Sequence, residues 1–120
     1  MMQFALLYNE TPEEQGRRDT ADAPAYWGAW SAYMGAMAAA GVMHSGQGLL
    51  PPATATTLRT AGGKWQVHDG PFADTKEQLG GFVILEVPDL DTALEWAARA
   101  PCAGAGSVEI RPVMPPPPAG

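Results

Sequence analysis

The side chains with chemistry to offer lie in three places: Tyr8 near the start, His44 in the middle, and the run His68-Asp69-Gly70-Pro71-Phe72-Ala73-Asp74-Thr75-Lys76-Glu77. An imidazole titrates near neutral pH, and a carboxylate that orients it makes a general acid/base pair. His68 and Asp69 are adjacent, so on one strand they point to opposite faces and cannot form that pair together. The dyad these residue types allow is therefore His44 with Asp69, from different strands, and these are the catalytic candidates. A competing role for Asp69 ranks ahead: its carboxylate before Gly70-Pro71 is ordinary turn chemistry and would cap the amides of residues 71–72.

The remaining candidates are binding groups. His68 falls on a hairpin strand, where an exposed edge position is the plain expectation. Lys76 could neutralise an anionic ligand, although a lysine beside three acids is commonly just solvated. Asp74 and Glu77 have the spacing of a capping box for one helical turn, ended by Gly80-Gly81. A metal triad of His44, His68 and one Asp is conceivable on ligand types alone, but nothing in the spacing supports it, and no metal site is assigned. Tyr8 brings a polar tip to a central strand. Tyr26, Trp27, Trp30, Tyr33, Met34 and Met37 recur along a helix, and such a stripe is more often core than pocket. If a site exists, Tyr8, Trp30 and His44 place it between that helix and the sheet, reached past the loop at 70–81 hinged by its glycines.

The elements that would hold these groups follow from the apolar patterning. Residues 3–8 are apolar on both alternating faces, as in a strand covered on both sides. Residues 9–22 are polar and acidic and read as a loop, with Arg17-Arg18 solvated among Glu13, Glu14 and Asp19. Pro24 opens a helix to about Ala40, and Gly41 stands where a helix ends. Val42–Leu49 is a second strand, broken by Pro51-Pro52. Residues 54–60 and 64–69 form a hairpin turning at Ala61-Gly62-Gly63. Phe82–Val87 is a core strand; Asp89 caps a helix over Leu90–Ala100 with Leu90, Ala93, Leu94 and Ala97 inward and Trp96 nearly opposite. Val108–Val113 is the last strand. The order β-α-β, hairpin, β-α-β is the ferredoxin-like split pattern with an inserted hairpin, an α+β fold. Because both faces of the central strands are apolar, two sheets should pack face to face in a homodimer.

At 120 residues and 46% hydrophobic content the chain suits one folded domain over residues 1–114, followed by a Pro-rich exposed tail at 115–120. A net charge of −6 disfavours direct nucleic-acid binding and adhesion to anionic membrane. The single cysteine, Cys102, excludes an intrachain disulfide and reads as a buried thiol. The start lacks the pattern of a signal peptide, which makes the cytoplasm the default location. No phosphate loop, dinucleotide fingerprint, HExxH or GxSxG occurs, so no cofactor is expected.

The stretch DGPFADTKEQLGGF resembles the signature of the DGPF branch of the YCII-related proteins. Similar matches run through Leu50-Pro51-Pro52-Ala53-Thr54-Ala55-Thr56-Thr57, Val87-Pro88-Asp89-Leu90-Asp91, Ala93-Leu94-Glu95-Trp96-Ala97 and Gly106-Ser107-Val108-Glu109-Ile110-Arg111-Pro112-Val113, leaving residues 9–25 and the Pro-rich end outside. The resemblance implies a dimeric α/β barrel and a His–Asp pair in a small-molecule enzyme. Two functions are then expected: a cofactorless enzyme using general acid/base chemistry from His44 and Asp69, or a non-catalytic ligand-binding or regulatory module associated with sigma-factor transcription control.

Overall fold

The computed structural model describes residues 1–117. Strand β1 (Met2–Glu10) lies at the centre, between β5 (Gln78–Val87) and β6 (Ser107–Pro112), and β2 (Met43–Gly48) pairs with the far side of β5. Every pairing in this four-stranded sheet is antiparallel, in the order β2-β5-β1-β6. Helices α2 (Ala23–Ala39) and α3 (Leu90–Ala98) each connect strands separated by a third, which is the ferredoxin-like split pattern expected of the chain. A short helix α1 (Pro12–Gly16) precedes α2, and a separate two-stranded sheet consists of β3 (Thr56–Ala61) and β4 (Lys64–Asp69).

Period-two alternation fixes which side of the sheet becomes core. Phe4, Leu6, Tyr8 and Glu10 of β1 point to the helices and are buried, as are Val83, Leu85 and Val87 of β5. Tyr33 and Met37 of α2, with Ala93, Ala97 and Ala100 at the α3 end, close the core over them. The opposite face, with Ala5 and Leu7 of β1 and Phe82 and Ile84 of β5, is half-buried within this chain.

The helix ends are as their residues dictate. Gly41, with φ +70°, follows the last turn of α2. Its N–H bonds Ala38 O while the Val42 N–H bonds Met37 O, the double bond of a Schellman stop. Asp89 caps α3, accepting from the Thr92 N–H at 2.9 Å and from its hydroxyl at 2.7 Å. The hairpin turns through Gly62 and Gly63, both at positive φ, the requirement of a two-residue primed turn.

Four local expectations are corrected. Residues 9–22 are not one loop: β1 runs on to Glu10, and Thr11 caps α1 by accepting from the Glu14 N–H. Residues 74–79 form no helical turn; Gln78 already belongs to β5, and the Glu77 carboxylate accepts from the Ser107 hydroxyl instead of capping. In α3 the shorter Ala93 and Ala97 are buried while Leu90 and Leu94 stay half-exposed, since Trp96 packs against the core and fills that side. Asp69 caps nothing among the described residues: the Gly70 corner is closed by its own N–H to Ala55 O and by the Thr57 hydroxyl to Gly70 O. Residues 115–117 carry no regular structure; the rest of the Pro-rich tail lies outside the described residues.

Candidate functional site

The inward row of β1 ends in an acid. Glu10 continues the alternation of Phe4, Leu6 and Tyr8, so its carboxylate enters the helix side of the sheet, where its side chain keeps 1% of its surface exposed. A buried carboxylate needs a cation and hydrogen bonds. Arg18 supplies the cation, with Nη2 2.8 Å from Glu10 Oε1, and the Tyr26 hydroxyl donates to Glu10 Oε2 at 2.5 Å. Arg18 also donates from Nε to the Tyr26 hydroxyl, from Nη1 to Leu49 O at 2.7 Å, and from Nη2 to Gly80 O at 3.4 Å. Its guanidinium lies over the rings of Tyr26 and Trp27 at 5.7 and 5.5 Å from their centroids.

Backbone geometry makes room for this cluster. The register between β1 and β5 shifts after Tyr8, where Gly80 is the additional residue of a bulge. A Cβ on Gly80 would stand 2.2 Å from Glu10 Oε1 and 3.2 Å from Arg18 Nη2. The chain into the site is positioned by α1, whose capped turn leads into the short 3-10 turn Arg17–Asp19. Arg17 differs from its neighbour: it pairs outward with Glu14 and Asp22. The expectation that both arginines are solvated holds for Arg17 and fails for Arg18.

A cavity of about 620 Å³ opens beside the cluster, between α2 and the sheet. Tyr8, Trp27, Trp30 and Met34 contribute to its wall, with the Gln47–Pro51 segment opposite. Tyr8 and Trp30 meet edge to face at 5.1 Å, as do Tyr26 and Trp27 at 4.8 Å. The Tyr8 hydroxyl is committed inward: it lies 2.9 Å from that of Tyr33, which donates to Trp96 O. Trp30 Nε1 is buried without an acceptor. Burial, helped by the bond to Glu10 and opposed by Arg18, pushes the Tyr26 phenol up to about 12. Burial raises Tyr8 and Tyr33 as well, and lifts the buried Cys102 thiol to about 12, which keeps it a protonated, inert group.

Of the residues singled out from sequence, Tyr8, Tyr26, Trp27, Trp30 and Met34 line the cavity. His44 is exposed on β2, where a register shift interrupts the pairing with β5, and its Nδ1 faces only the Ser45 hydroxyl at 3.4 Å. His68 and Asp69 are exposed on β4, and Lys76 is exposed in the following segment. None of these four lines the cavity, and no hydrogen bond joins His44 to Asp69 among the described residues. Within the same residues no group of three His, Cys, Asp or Glu side chains could hold a metal ion. No helix among them is long and apolar enough to cross a membrane.

Glu10 and Arg18 carry no site expectation from the sequence, whereas Tyr26 belongs to the aromatic stripe that the sequence offers as core or pocket wall. The signal for Glu10 is in the alternation, which runs one step past Tyr8, and a buried acid implies a nearby cation.

Comparison with known proteins agrees with the fold. An uncharacterized protein of Rhizobium meliloti (strain 1021) is 46% identical over 67 residues, 54% of this chain and 54% of that protein, so the chain spans about half the length of the curated relative it matches. The solved structure of 5-chloro-2-hydroxyhydroquinone dehydrochlorinase from Burkholderia phenoliruptrix AC1100, in complex with 2,5-dihydroxybenzoquinone, superimposes with a TM-score of 0.53 at 18% identity, over 92% of this chain and 91% of that one. That likeness is one of fold. A model of the YCII-related domain matches residues 2–116, which takes in the 9–25 segment that carries Glu10 and Arg18. The chain belongs to the YCII-related family.

Proposed function

We propose that this protein binds a small, largely apolar molecule in the cavity between α2 and the sheet, and works on it by general acid/base chemistry. The observation that carries the reading is a cavity of about 620 Å³, within the usual range for ligand sites, whose aromatic wall is interrupted by one buried carboxylate–guanidinium–phenol cluster. Few polar groups on a mostly apolar wall are what orients a small ligand. Glu10 is the buried carboxylate on that wall, able to take a proton and held in place by Arg18 and Tyr26, while the other carboxylate, Asp19, is exposed. The structural neighbour is by its name an enzyme of a small molecule, which is in keeping with the reading.

The second reading is a non-catalytic ligand-binding or regulatory module near sigma-factor control. It is favoured by the exposure of His44 and Asp69, which leaves the cavity without the imidazole–carboxylate pair. Placement in the DGPF branch, a cytoplasmic location and a homodimer packed through the half-buried Ala5, Leu7, Phe82 and Ile84 face belong to the same proposal. Light scattering coupled to size-exclusion chromatography should give twice the chain mass; a monomer at micromolar concentration would remove the dimer from it.

The site itself is tested by thermal-shift screening of a metabolite library on the protein and on Ser31→Trp, which places a large ring at the cavity wall from an exposed helix position. Compounds that stabilise the first and not the second support the cavity. Compounds that stabilise both equally put the ligand elsewhere and sink the reading.

A further inference from the structure

Hydrogen-bonding capacity left over in the cluster narrows what the cavity can take. An arginine has five N–H donors, and four of those of Arg18 are used, on Tyr26, Leu49 O, Glu10 and Gly80 O. The Tyr26 hydroxyl gives its proton to Glu10. Each Glu10 oxygen accepts one bond within the protein, which leaves each with a further lone pair. A ligand atom arriving here therefore meets acceptors on Glu10 and a remaining donor on Arg18, and the same wall adds the buried Trp30 Nε1–H, which has no acceptor. A hydroxyl answers both, since it donates and accepts. A carboxylate or phosphate only accepts, and would set its charge against Glu10.

Charge points the same way. Glu10 and Arg18 cancel at 2.8 Å, and Asp19, the other charged residue of the wall, is exposed and screened by solvent. An anion gains no uncompensated cation, and a cation meets the guanidinium of Arg18. Either would give up its hydration for little return. The wall beside the cluster is built of rings, Tyr8, Trp27 and Trp30, which offer edges and faces to another ring.

We propose that the cavity takes an uncharged aromatic molecule bearing a hydroxyl group, with its ring among Tyr8, Trp27 and Trp30 and its hydroxyl on the Glu10–Arg18–Tyr26 cluster. This rests on the cavity being the ligand site. The hydroxyl donates to a Glu10 oxygen and accepts the remaining Arg18 N–H; the rest of the ligand lies along the Gln47–Pro51 side, where Leu50 is exposed at the rim.

The test is isothermal titration at neutral pH with five probes of matched size: naphthol, naphthalene, naphthoate, naphthylmethyl-trimethylammonium and decalol. Naphthol should bind about tenfold or more tightly than each of the others. Naphthoate or the ammonium probe binding as well as naphthol overturns the uncharged class, decalol doing so overturns the aromatic one, and naphthalene doing so overturns the hydroxyl anchor. Glu10→Gln, which exchanges the charged acceptor for a neutral amide oxygen, should reduce the preference for naphthol over naphthalene, and an unchanged preference overturns the carboxylate anchor. Trp27→Leu, at a half-exposed position and with folding checked by its melting curve, should lower the preference for naphthol over decalol and keep that over naphthalene; unchanged ratios in this variant overturn the ring contact even if Glu10→Gln does not fold. Failure of all five probes overturns the ligand class, while the cavity itself stands or falls separately by the library screen with Ser31→Trp.

Discussion

The start of β5 joins two regions built on opposite principles. At Gly80 the strand passes a cluster in which a carboxylate, a guanidinium and a phenol are buried and mutually bonded. Upstream of Gln78 the chain comes from the β3–β4 arm, where Leu58, Trp65 and Val67 share one face and are 52%, 76% and 56% exposed. The arm is held by its own ladder, its two-glycine turn and the bonds at the Gly70 corner. An isolated two-stranded hairpin is marginal in water, so its apolar face contributes little until something covers it. The difference teaches where to look for function in this chain. The run that resembles the DGPF signature is mostly exposed strap as far as Leu79 and reaches the site only through the backbone of Gly80-Gly81, whereas the buried side-chain chemistry comes from residues 10–26.

The largest effect that could break this contrast is Arg18→Met. It leaves the Glu10 carboxylate buried without its cation, and breaking a buried pair from one side costs about 3–5 kcal/mol. Urea denaturation should show a drop of that order. A loss below about 1 kcal/mol would mean that the cluster is no more constrained than an exposed pair. Gly80→Ala comes next. Its Cβ falls on Glu10 Oε1, and neither that carboxylate nor Arg18 can retreat without losing bonds, so overpacking of about 1–3 kcal/mol is expected together with weaker ligand binding. An unchanged stability would show that the bulge has slack.

These residues also mark how far the sequence could be read. The four strands of the sheet and both long helices were legible because apolar period, Pro24, Gly41 and Asp89 all agreed on the same elements. The hairpin was legible from Gly62-Gly63. The site was half legible. Tyr8 and Trp30 belong to apolar rows, but at Glu10 a charge ends the apolar run and reads as loop, although the period-two alternation continues through it. Thr11-Pro12-Glu13-Glu14 carries the signature of a capped helix, yet its density of charge resembled a solvated loop. His44 and Asp69 drew attention by chemical type, and type says nothing about exposure: both sit where the sheet pairing is interrupted or ends.

A pH titration sharpens the comparison further. The Tyr26 phenol is held at about 12 in the folded chain against an ordinary 10.0, so between those values the folded state keeps a proton that the unfolded chain releases. The Tyr26 contribution should therefore be level below pH 10 and be lost as pH rises from 10 to about 12, with Tyr8 and Tyr33 adding in the same direction and the buried Cys102 thiol adding from about pH 9 upward. Tyr26→Phe should flatten part of that fall. If the variant and the parent lose stability identically, Tyr26 is ionising freely and is not enclosed with Glu10.

The smallest effect is expected on the arm, at Asp69→Ala. From sequence, a capping Asp before Gly70-Pro71 would be worth about 0.5–2 kcal/mol. In the structure its carboxylate is exposed on β4 and bonds nothing among the described residues, while the corner is closed by Ala55, Thr57 and the Gly70 backbone. The change should therefore stay within about 0.5 kcal/mol, as for other exposed positions without a partner, and binding in the cavity should be unaltered. A larger loss that grows with protein concentration would show the arm docked on a second copy in solution. Lost ligand binding at unchanged stability would instead bring Asp69 to the site and reverse the contrast between the two regions.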